Sequence, residues 1–235
     1  MTIPGLQHQT TNVLKAMFSS MMKIDFKKAF PSLYRAPTDR FALVEVPPMR
    51  FVMVDGAGDP NAAPSYKQAI EWLFSVSYAM KFSAKASLEK DYVVLPLEGL
   101  WWSDDPDDFV ARHKDRWRWT MMVMAPDFLD QAMFLAAVEK AEKKLGAPPD
   151  SLRLELYDDD EGPTLARLHH EEMPSRGFVF AGKHHEIYLS DARKTEPTKL
   201  RTILRQPVSR MSQSDVRPTT SAPQRAPAAS RHRDR

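Results

Sequence analysis

The chain has 235 residues, of which 43% are hydrophobic, so it is long enough to bury a core in one large or two small domains. Its formal net charge of +2 gives no whole-chain case for nucleic-acid binding. The absence of cysteine excludes disulfides, thiolate nucleophiles and cysteine-bound metal centres.

The two ends of the chain differ in character from its middle. Residues 1–21 carry apolar residues at helical spacing, which predicts either a short helix or an extension upstream of a true start at Met22. No apolar run reaches the roughly 18 residues of a membrane span. The N-terminus also lacks the features of a secretory signal. We therefore expect a cytoplasmic protein that does not contact membranes.

The C-terminal end is rich in Pro, Ser, Thr, Ala and Arg, and from Gln206 onward this composition predicts disorder because little apolar surface can be buried. We assign residues 209–235 to a basic tail, which contains six Arg and two Asp. Such a tail is suited to weak contact with nucleic acid or acidic lipid, or it is simply a solvated segment. The core domain is expected over 22–208.

The first half of this domain reads as a strand, a helix and two further strands. Phe41 to Asp55 is β-branched and aromatic, is interrupted by Pro47-Pro48 and ends in the turn GAGDPN. Four predicted elements follow in chain order: a helix over 65–82 that Ser65 or Asn61 could cap, strands over 92–102 and 117–124, and a helix over 127–145 closed by Gly146.

The same order of elements then repeats. The predicted elements are a strand over 152–157, a helix over 163–172, and two short strands within 177–189 that are separated at Gly182-Lys183. Two strand–helix–strand–strand units with antiparallel pairing and helices on one face predict an α+β fold.

Tryptophans mark the strand ends of the first unit. In PLEGLWW, strand alternation puts Gly99 and Trp101 on one side of the strand and Trp102 on the other. On the next strand, Trp117 and Trp119 share one face. Such an aromatic surface is suited to a flat ligand, and it is equally suited to a protein core.

The run GKHHEIYLSD holds the polar residues of greatest interest. On a strand, His184, Glu186 and Tyr188 share one face, whereas His185 points to the other. Adjacent histidines therefore cannot chelate together, and a metal site would need a third ligand such as His113 or the His169-His170 pair. We expect no metal here.

A carboxylate surrounded by aromatic rings has two chemical uses. Burial raises the pKa of a glutamate and disfavours its charged form. A flat cationic ligand would compensate this effect and add cation–π contact with the rings. Alternatively, the same carboxylate could act as a general base toward water.

Seven runs together resemble the GyrI-like small-molecule-binding family over about Met22 to Val208. They are IDFKK, DGAGDPN, YKQAIEWLFSVSYAMKF, DYVVLPLEGLWW, WRWTMMVMAPDF, GKHHEIYLSD and KLRTILRQPV. The resemblance implies two pseudo-symmetric βαββ units with a ligand cleft between them. It also implies binding of flat cationic or lipophilic compounds over a glutamate. Stand-alone members include hydrolases of cyclopropane-bearing alkylating compounds.

Carried over by matching motif, the glutamate is Glu186, with Tyr188 as a weaker candidate for a proton donor. The resemblance implies no cofactor. The ligand-binding residues that it points to are Trp101 or Trp102, Trp119 and Tyr78. His184, which neighbours Glu186 on the same strand face, is a further candidate.

One departure from the family concerns the second unit. The family has a further strand before a helix like GPTLARLHHE, but here Tyr157 is followed at once by the run DDDEGP. Either residues 152–157 take the place of that strand or the second unit is one strand short, which would expose an edge of the sheet.

Three functions fit these observations. The first is an enzyme that adds water to an electrophilic cyclopropane with the help of Glu186. The second is a binding protein that sequesters such compounds without chemistry. The third, which the residues support least, is a protein that modulates DNA gyrase.

Overall fold

The computed structural model describes residues 23–35, 37, 42–105, 107–158, 164–166, 177–191 and 194–210. The predicted N-terminal extension, nearly all of the tail and most of the predicted helix over 163–172 lie outside the described residues. Among the described residues, no helix combines the length and the apolar character that crossing a bilayer requires.

Five α-helices and nine strands make up the described part of the chain. The helices are α1 (Phe26–Ala29), α2 (Pro31–Tyr34), α3 (Pro64–Ser87), α4 (Asp107–Val110) and α5 (Gln131–Leu145). The strands are β1 (Ala42–Val44), β2 (Met49–Ala57), β3 (Leu97–Trp102), β4 (Arg118–Met124), β5 (Arg153–Tyr157), β6 (Thr164–Ala166), β7 (Phe178–Phe180), β8 (His184–Tyr188) and β9 (Thr202–Arg210). Short 3₁₀ turns cover Lys114–Arg116 and Pro197–Lys199.

One antiparallel sheet organises these elements. Its strand order is β1-β6-β9-β8-β3-β4-β2-β5, and β7 pairs separately with β9. The two long helices α3 and α5 pack against each other, and α3 also contacts β2 and β4. The predicted α+β fold is therefore confirmed.

The sheet shows the expected pseudo-symmetry about the seam between β3 and β8. The first unit runs β2, α3, β3 and β4; in the second unit β6, β8 and β9 occupy the equivalent sheet positions. The outermost strands are exchanged between the units, since β1 pairs with β6 and β5 pairs with β2.

This exchange corrects two sequence-based predictions. Residues 153–157 do not replace the first strand of the second unit, because they pair with β2 at the far edge. That position is held by 164–166, where a helix was predicted, so the helix prediction is wrong over these residues and the unit is not a strand short. Backbone pairing of β6 with both β1 and β9 outweighs the local helical pattern.

The predicted strand over 41–55 is divided at Pro47-Pro48. Proline lacks a backbone N–H, so two consecutive prolines remove two ladder donors and favour a break in the strand. The residues before the prolines form β1 at one edge of the sheet, whereas those after them form β2 near the other. The interruption thus allows one chain segment to serve both units.

The long helices begin and end where local chemistry permits. Helix α3 starts with Pro64 at its first turn and has no side-chain cap, so the predicted caps are not used. In α5, the side chain of Asp130 accepts a hydrogen bond from the Met133 N–H at 2.8 Å, which starts the helix four residues later than predicted. Gly146, with φ of +82°, ends it as predicted.

Strand alternation divides the buried residues between two faces of the sheet. On the helical face, side chains from the first unit pack against α3 and α5: Val52, Val54, Trp101, Trp119, Met121 and Val123. On the back face a second cluster packs beneath α2: Phe51, Met53, Leu100, Met122, Ile187 and Ile203.

The last strand extends further than the sequence predicted. Disorder was expected from Gln206, yet Gln206, Pro207 and Val208 are buried in β9, which continues to Arg210. Pairing with β6, β7 and β8 supplies the burial that the local composition does not indicate. Residues 211–235 lie outside the described part of the chain.

Candidate functional site

The site lies at the seam where the two units meet. Strands β3 and β8 pair so that Gly99 is opposite Glu186, Trp101 is opposite His184 and Leu97 is opposite Tyr188. Because opposite residues of an antiparallel pair project to the same face, these side chains share the helical face. Glu186 therefore faces a position without a side chain.

Gly99 leaves room for the indole of Trp101. A Cβ atom at this position would lie 2.9 Å from Trp101 Nε1 and 3.1 Å from Met121 Sδ. Both distances are shorter than ordinary van der Waals contact, so a larger residue would displace the ring edge that faces Glu186. Glycine is required here by close approach of a side chain.

Both carboxylate oxygens of Glu186 have polar partners. The Tyr188 hydroxyl donates to Oε2 at 2.6 Å, and His184 Nε2 lies 3.4 Å from Oε1. Trp101 Nε1 in turn donates to the Tyr188 hydroxyl at 3.1 Å. The side chain of Glu186 keeps 28% exposure, so the carboxylate is held in place while remaining accessible from one side.

Five rings form a connected set on the Glu186 side of the sheet, four of them on α3, β3, β4 and β8 and the fifth directly before β4. We term this set the aromatic wall: Tyr66, Trp101, Trp117, Trp119 and Tyr188. Tyr66 comes from the first turns of α3. Its ring lies 6.0 Å from that of Trp101 and packs against Trp119 at 5.2 Å with nearly perpendicular planes. Trp117 meets Trp101 edge-on at 5.9 Å. Such edge contacts fix ring orientations.

The Glu186 carboxylate favours its ionised form. Burial acts to raise its pKa, but hydrogen bonds from His184 and Tyr188, followed by the charges of His184 and His185, outweigh burial, and the pKa is lowered. The sequence-based expectation that burial would dominate is therefore wrong in sign. The wall encloses a negative charge rather than a neutral acid.

The two tyrosines beside Glu186 hold their protons firmly. Burial, and then the charge of Glu186, raises the pKa of Tyr66 to about 12. The same two causes raise the pKa of Tyr188 well above its usual range. At neutral pH the Tyr188 hydroxyl is thus a hydrogen-bond donor to the carboxylate.

The structure brings together most of the residues singled out from the sequence. Glu186, Tyr188, His184, Trp101 and Trp119 all lie on the helical face around the seam.

Two of the predicted ligand-binding residues lie elsewhere. Trp102 points to the back face, where Lys183 Nζ lies 3.9 Å from its ring centroid. Tyr78 is 47% exposed and stacks between Phe74 and Phe82, roughly three turns along α3 from Tyr66, about 18 Å at 1.5 Å per residue.

Tyr66 is the residue of the wall that sequence reasoning missed. It was counted only as one of the apolar positions of the helix over 65–82. The available signal was the hydroxyl of Tyr66 on the sheet-facing side of α3. A buried hydroxyl requires a polar partner, so this residue indicated polar groups on the helical face of the sheet.

The histidines do not form a metal centre within the described residues. No three His, Asp or Glu side chains of that part of the chain come together in a way that could hold a metal ion. His113 instead lies with Nδ1 3.1 Å from an Asp108 carboxylate oxygen. The His169-His170 pair lies outside the described residues.

Comparison with known proteins identifies relatives among solved structures. No protein-family model and no curated protein matches the chain. Three crystal structures of Listeria innocua proteins do, each at 36% identity over 80% of this chain and 100% of theirs. One is described as an uncharacterized conserved protein, with a TM-score of 0.70, and two as hydrolases, with TM-scores of 0.66 and 0.67. This chain therefore belongs to the family that these Listeria innocua proteins represent.

Proposed function

We propose that this chain is a GyrI-like protein that binds flat lipophilic or cationic small molecules against the aromatic wall, and that it adds water to electrophilic cyclopropane-bearing compounds. The observation that carries the proposal is the Glu186 carboxylate, held ionised beside the aromatic wall at the seam of the sheet. Relatives described as hydrolases support the hydrolytic part of the proposal.

Binding follows from the charge and the rings together. The Glu186 carboxylate keeps its charge beside the aromatic wall, so a cationic ligand gains Coulomb energy there. A flat cation also gains cation–π contact with the partly exposed rings of Tyr66 and Trp117, worth about 0.5–2 kcal/mol depending on desolvation. Neutral flat compounds would bind through the ring faces alone.

For catalysis, we propose that Glu186 positions a water molecule beside a bound cyclopropane that is conjugated to a carbonyl group. The water oxygen bonds to a ring carbon while the strained C–C bond breaks. The released electron pair moves to the carbonyl oxygen, which takes a proton from solvent. The attacking water gives up a proton to the Glu186 carboxylate, which then returns it to solvent. The net change is the addition of one water molecule.

The lowered pKa decides which role of Glu186 is most effective. A carboxylate with a low pKa is a weak general base, so its main contributions are orientation of the water and stabilisation of positive charge on the attacking oxygen. A strained electrophile requires little basic assistance. In this scheme Tyr188 orients the carboxylate and does not supply the proton, because its hydroxyl already donates to Glu186.

Mass spectrometry tests the proposal directly. The protein is incubated with a spirocyclopropyl cyclohexadienone, and the products are searched for the mass of the compound plus one water. We expect wild-type protein to form this product. Glu186→Gln keeps the side-chain shape without the charge, so it should abolish turnover while retaining most tryptophan quenching by a neutral flat ligand. Equal turnover by wild type and variant would refute the role of Glu186.

A second candidate function is binding without chemistry. The low basicity of Glu186 favours it, because the same carboxylate and rings would serve a cation-binding site equally well. In that case wild-type protein quenches with the ligand but forms no water adduct. Ethidium, a flat cation, should then lose affinity in Glu186→Gln by about tenfold or more, equivalent to about 1.4 kcal/mol.

A further inference from the structure

A second ionisable cluster lies directly behind the site, on the back face of the sheet. Glu98 is 0% exposed and His185 is 3% exposed, and His185 Nε2 lies 2.9 Å from Glu98 Oε2. The Tyr34 hydroxyl donates to the other oxygen of Glu98 at 3.2 Å. Both oxygens of this carboxylate are therefore engaged in a buried cluster.

The position of this pair relative to the site follows from the strand register. Glu98 precedes Gly99 on β3, and His185 precedes Glu186 on β8. Since Gly99 and Glu186 are directly opposite each other, the Glu98–His185 contact joins the same two strands at the same level. Any slip or separation of these strands that moved Glu186 would also break the buried pair.

This part of the molecule's interior holds three ionisable side chains, Glu98, His185 and Arg205, whose charges must be balanced because they are buried. A carboxylate out of contact with water is stable only when it is paired and hydrogen-bonded. We take His185 to be the imidazolium of this pair, with its Nε2–H as the donor to Glu98. The neighbouring buried cation is Arg205, which is opposite His185 on β9 and donates to the backbone oxygen of Leu33.

We infer that His185 is a positioning residue for Glu186: held by Glu98 behind the sheet, it keeps the carboxylate opposite Gly99 and favours its ionised form from the far side of the strand. The inference rests on the proposed role of Glu186 as the carboxylate of the binding site. Positive charge this close acts through a poorly screened interior, where Coulomb interactions are stronger than in water.

The titration behaviour of Glu186 agrees with this geometry. Burial acts to raise its pKa, hydrogen bonds from His184 and Tyr188 lower it, and the charges of both His184 and His185 lower it further. On the front of the sheet, Tyr66 is a further titratable group that interacts with Glu186. His185 is thus the contributor that acts from behind.

The test is a carboxyl titration by NMR that needs no ligand. Full-length protein is labelled with ¹³C at the glutamate carboxyl carbons, and the Glu186 resonance is assigned by its loss in Glu186→Gln. His185→Gln keeps an amide N–H that can donate to Glu98 but carries no charge. We expect this variant to raise the pKa of Glu186 by about half a unit to one unit.

Ile187→Val is the matched control, because Ile187 lies on the same back face of β8 and the change removes one methylene without altering any charge. Its Glu186 pKa should equal that of wild type. The inference is overturned if His185→Gln leaves the pKa of Glu186 unchanged, or if Ile187→Val raises it equally, since packing alone would then explain the shift.

If His185→Gln does not fold, a measurement on wild-type protein tests the same inference. Ring ¹⁵N shifts of labelled histidine distinguish an imidazolium from a neutral imidazole, and we expect His185 to be an imidazolium at neutral pH. A neutral His185 would overturn the inference. Failure of wild-type protein to bind ethidium would instead count against the proposed function, while the carboxyl titration would still decide the role of His185.

Discussion

Gly56 provides the sharpest packing test of the aromatic wall. It lies in β2 directly opposite Trp119 of β4. A Cβ atom at this position would lie 2.1 Å from Cη2 and 2.3 Å from Cζ2 of the Trp119 ring. Trp119 is fully buried, and the Tyr66 ring packs against it at 5.2 Å, so the indole has little room to move.

We therefore expect Gly56→Ala to destabilise the protein. Overpacking of a well-packed core costs about 1–3 kcal/mol. Replacing a strand glycine by alanine recovers about 0.5–1 kcal/mol of backbone entropy, which leaves a net loss of about 0.5–2 kcal/mol. Urea unfolding followed by circular dichroism measures this loss. Displacement of the indole should also weaken ethidium quenching under native conditions.

A double-mutant cycle isolates the cause. Trp119→Phe removes the outer ring atoms that an alanine side chain at Gly56 would meet, so the penalty of Gly56→Ala should vanish in that background. The coupling between the two changes should then equal the overpacking cost of about 1–3 kcal/mol, because the entropy gain is the same in both backgrounds. If the penalty is the same in both backgrounds, or if Gly56→Ala is as stable as wild type, the reasoning from close approach is refuted.

Two further substitutions test the polar contacts on each face of the sheet. Tyr188→Phe removes a charge-assisted hydrogen bond worth about 1.5–3 kcal/mol, so the pKa of Glu186 should rise by about 1–2 units in the carboxyl titration. Because the folded pKa of Glu186 is depressed, its contribution to stability is present above the unfolded pKa and is lost as the pH falls through the folded pKa. The stability difference between Tyr188→Phe and wild type should therefore shrink in acid, and a constant difference across the pH range would contradict this. Glu98→Ala leaves a buried imidazolium without its partner, and urea unfolding should show a loss of about 3–5 kcal/mol; a loss below about 1 kcal/mol would show that the charge assignment is wrong.

Sequence patterns gave correct predictions for structural features that depend only on residues close together in the chain. Alternation along β3 and β8 correctly separated Trp101 from Trp102 and grouped His184, Glu186 and Tyr188 on one face. Helical spacing located α3 and α5, and Gly146 marked the end of α5. These features follow from the periods of strand and helix, which are properties of consecutive residues.

Strand pairing between the units could not be predicted from local sequence patterns. The strand over 164–166 exists because β1 and β9 flank it, and both partners are distant in the chain. The burial of Gln206 and Pro207 arises in the same way, from pairing with β6 that the composition of the segment does not show. A local helical or disordered signal is weak compared with a ladder of backbone hydrogen bonds on both sides of a strand.

By itself, the sequence determined which side chains share a face of each strand, and so it placed Glu186 beside Tyr188. Only the tertiary structure decided which side chains from other elements surround these two residues. It brought Tyr66 from α3 to the carboxylate and set Glu98 against His185 behind it, across 87 positions of the chain. Alternation is a short-range property of one strand, whereas the charge state of Glu186 depends on groups from several elements. The carboxylate is ionised for that reason, although burial alone would have favoured its neutral form.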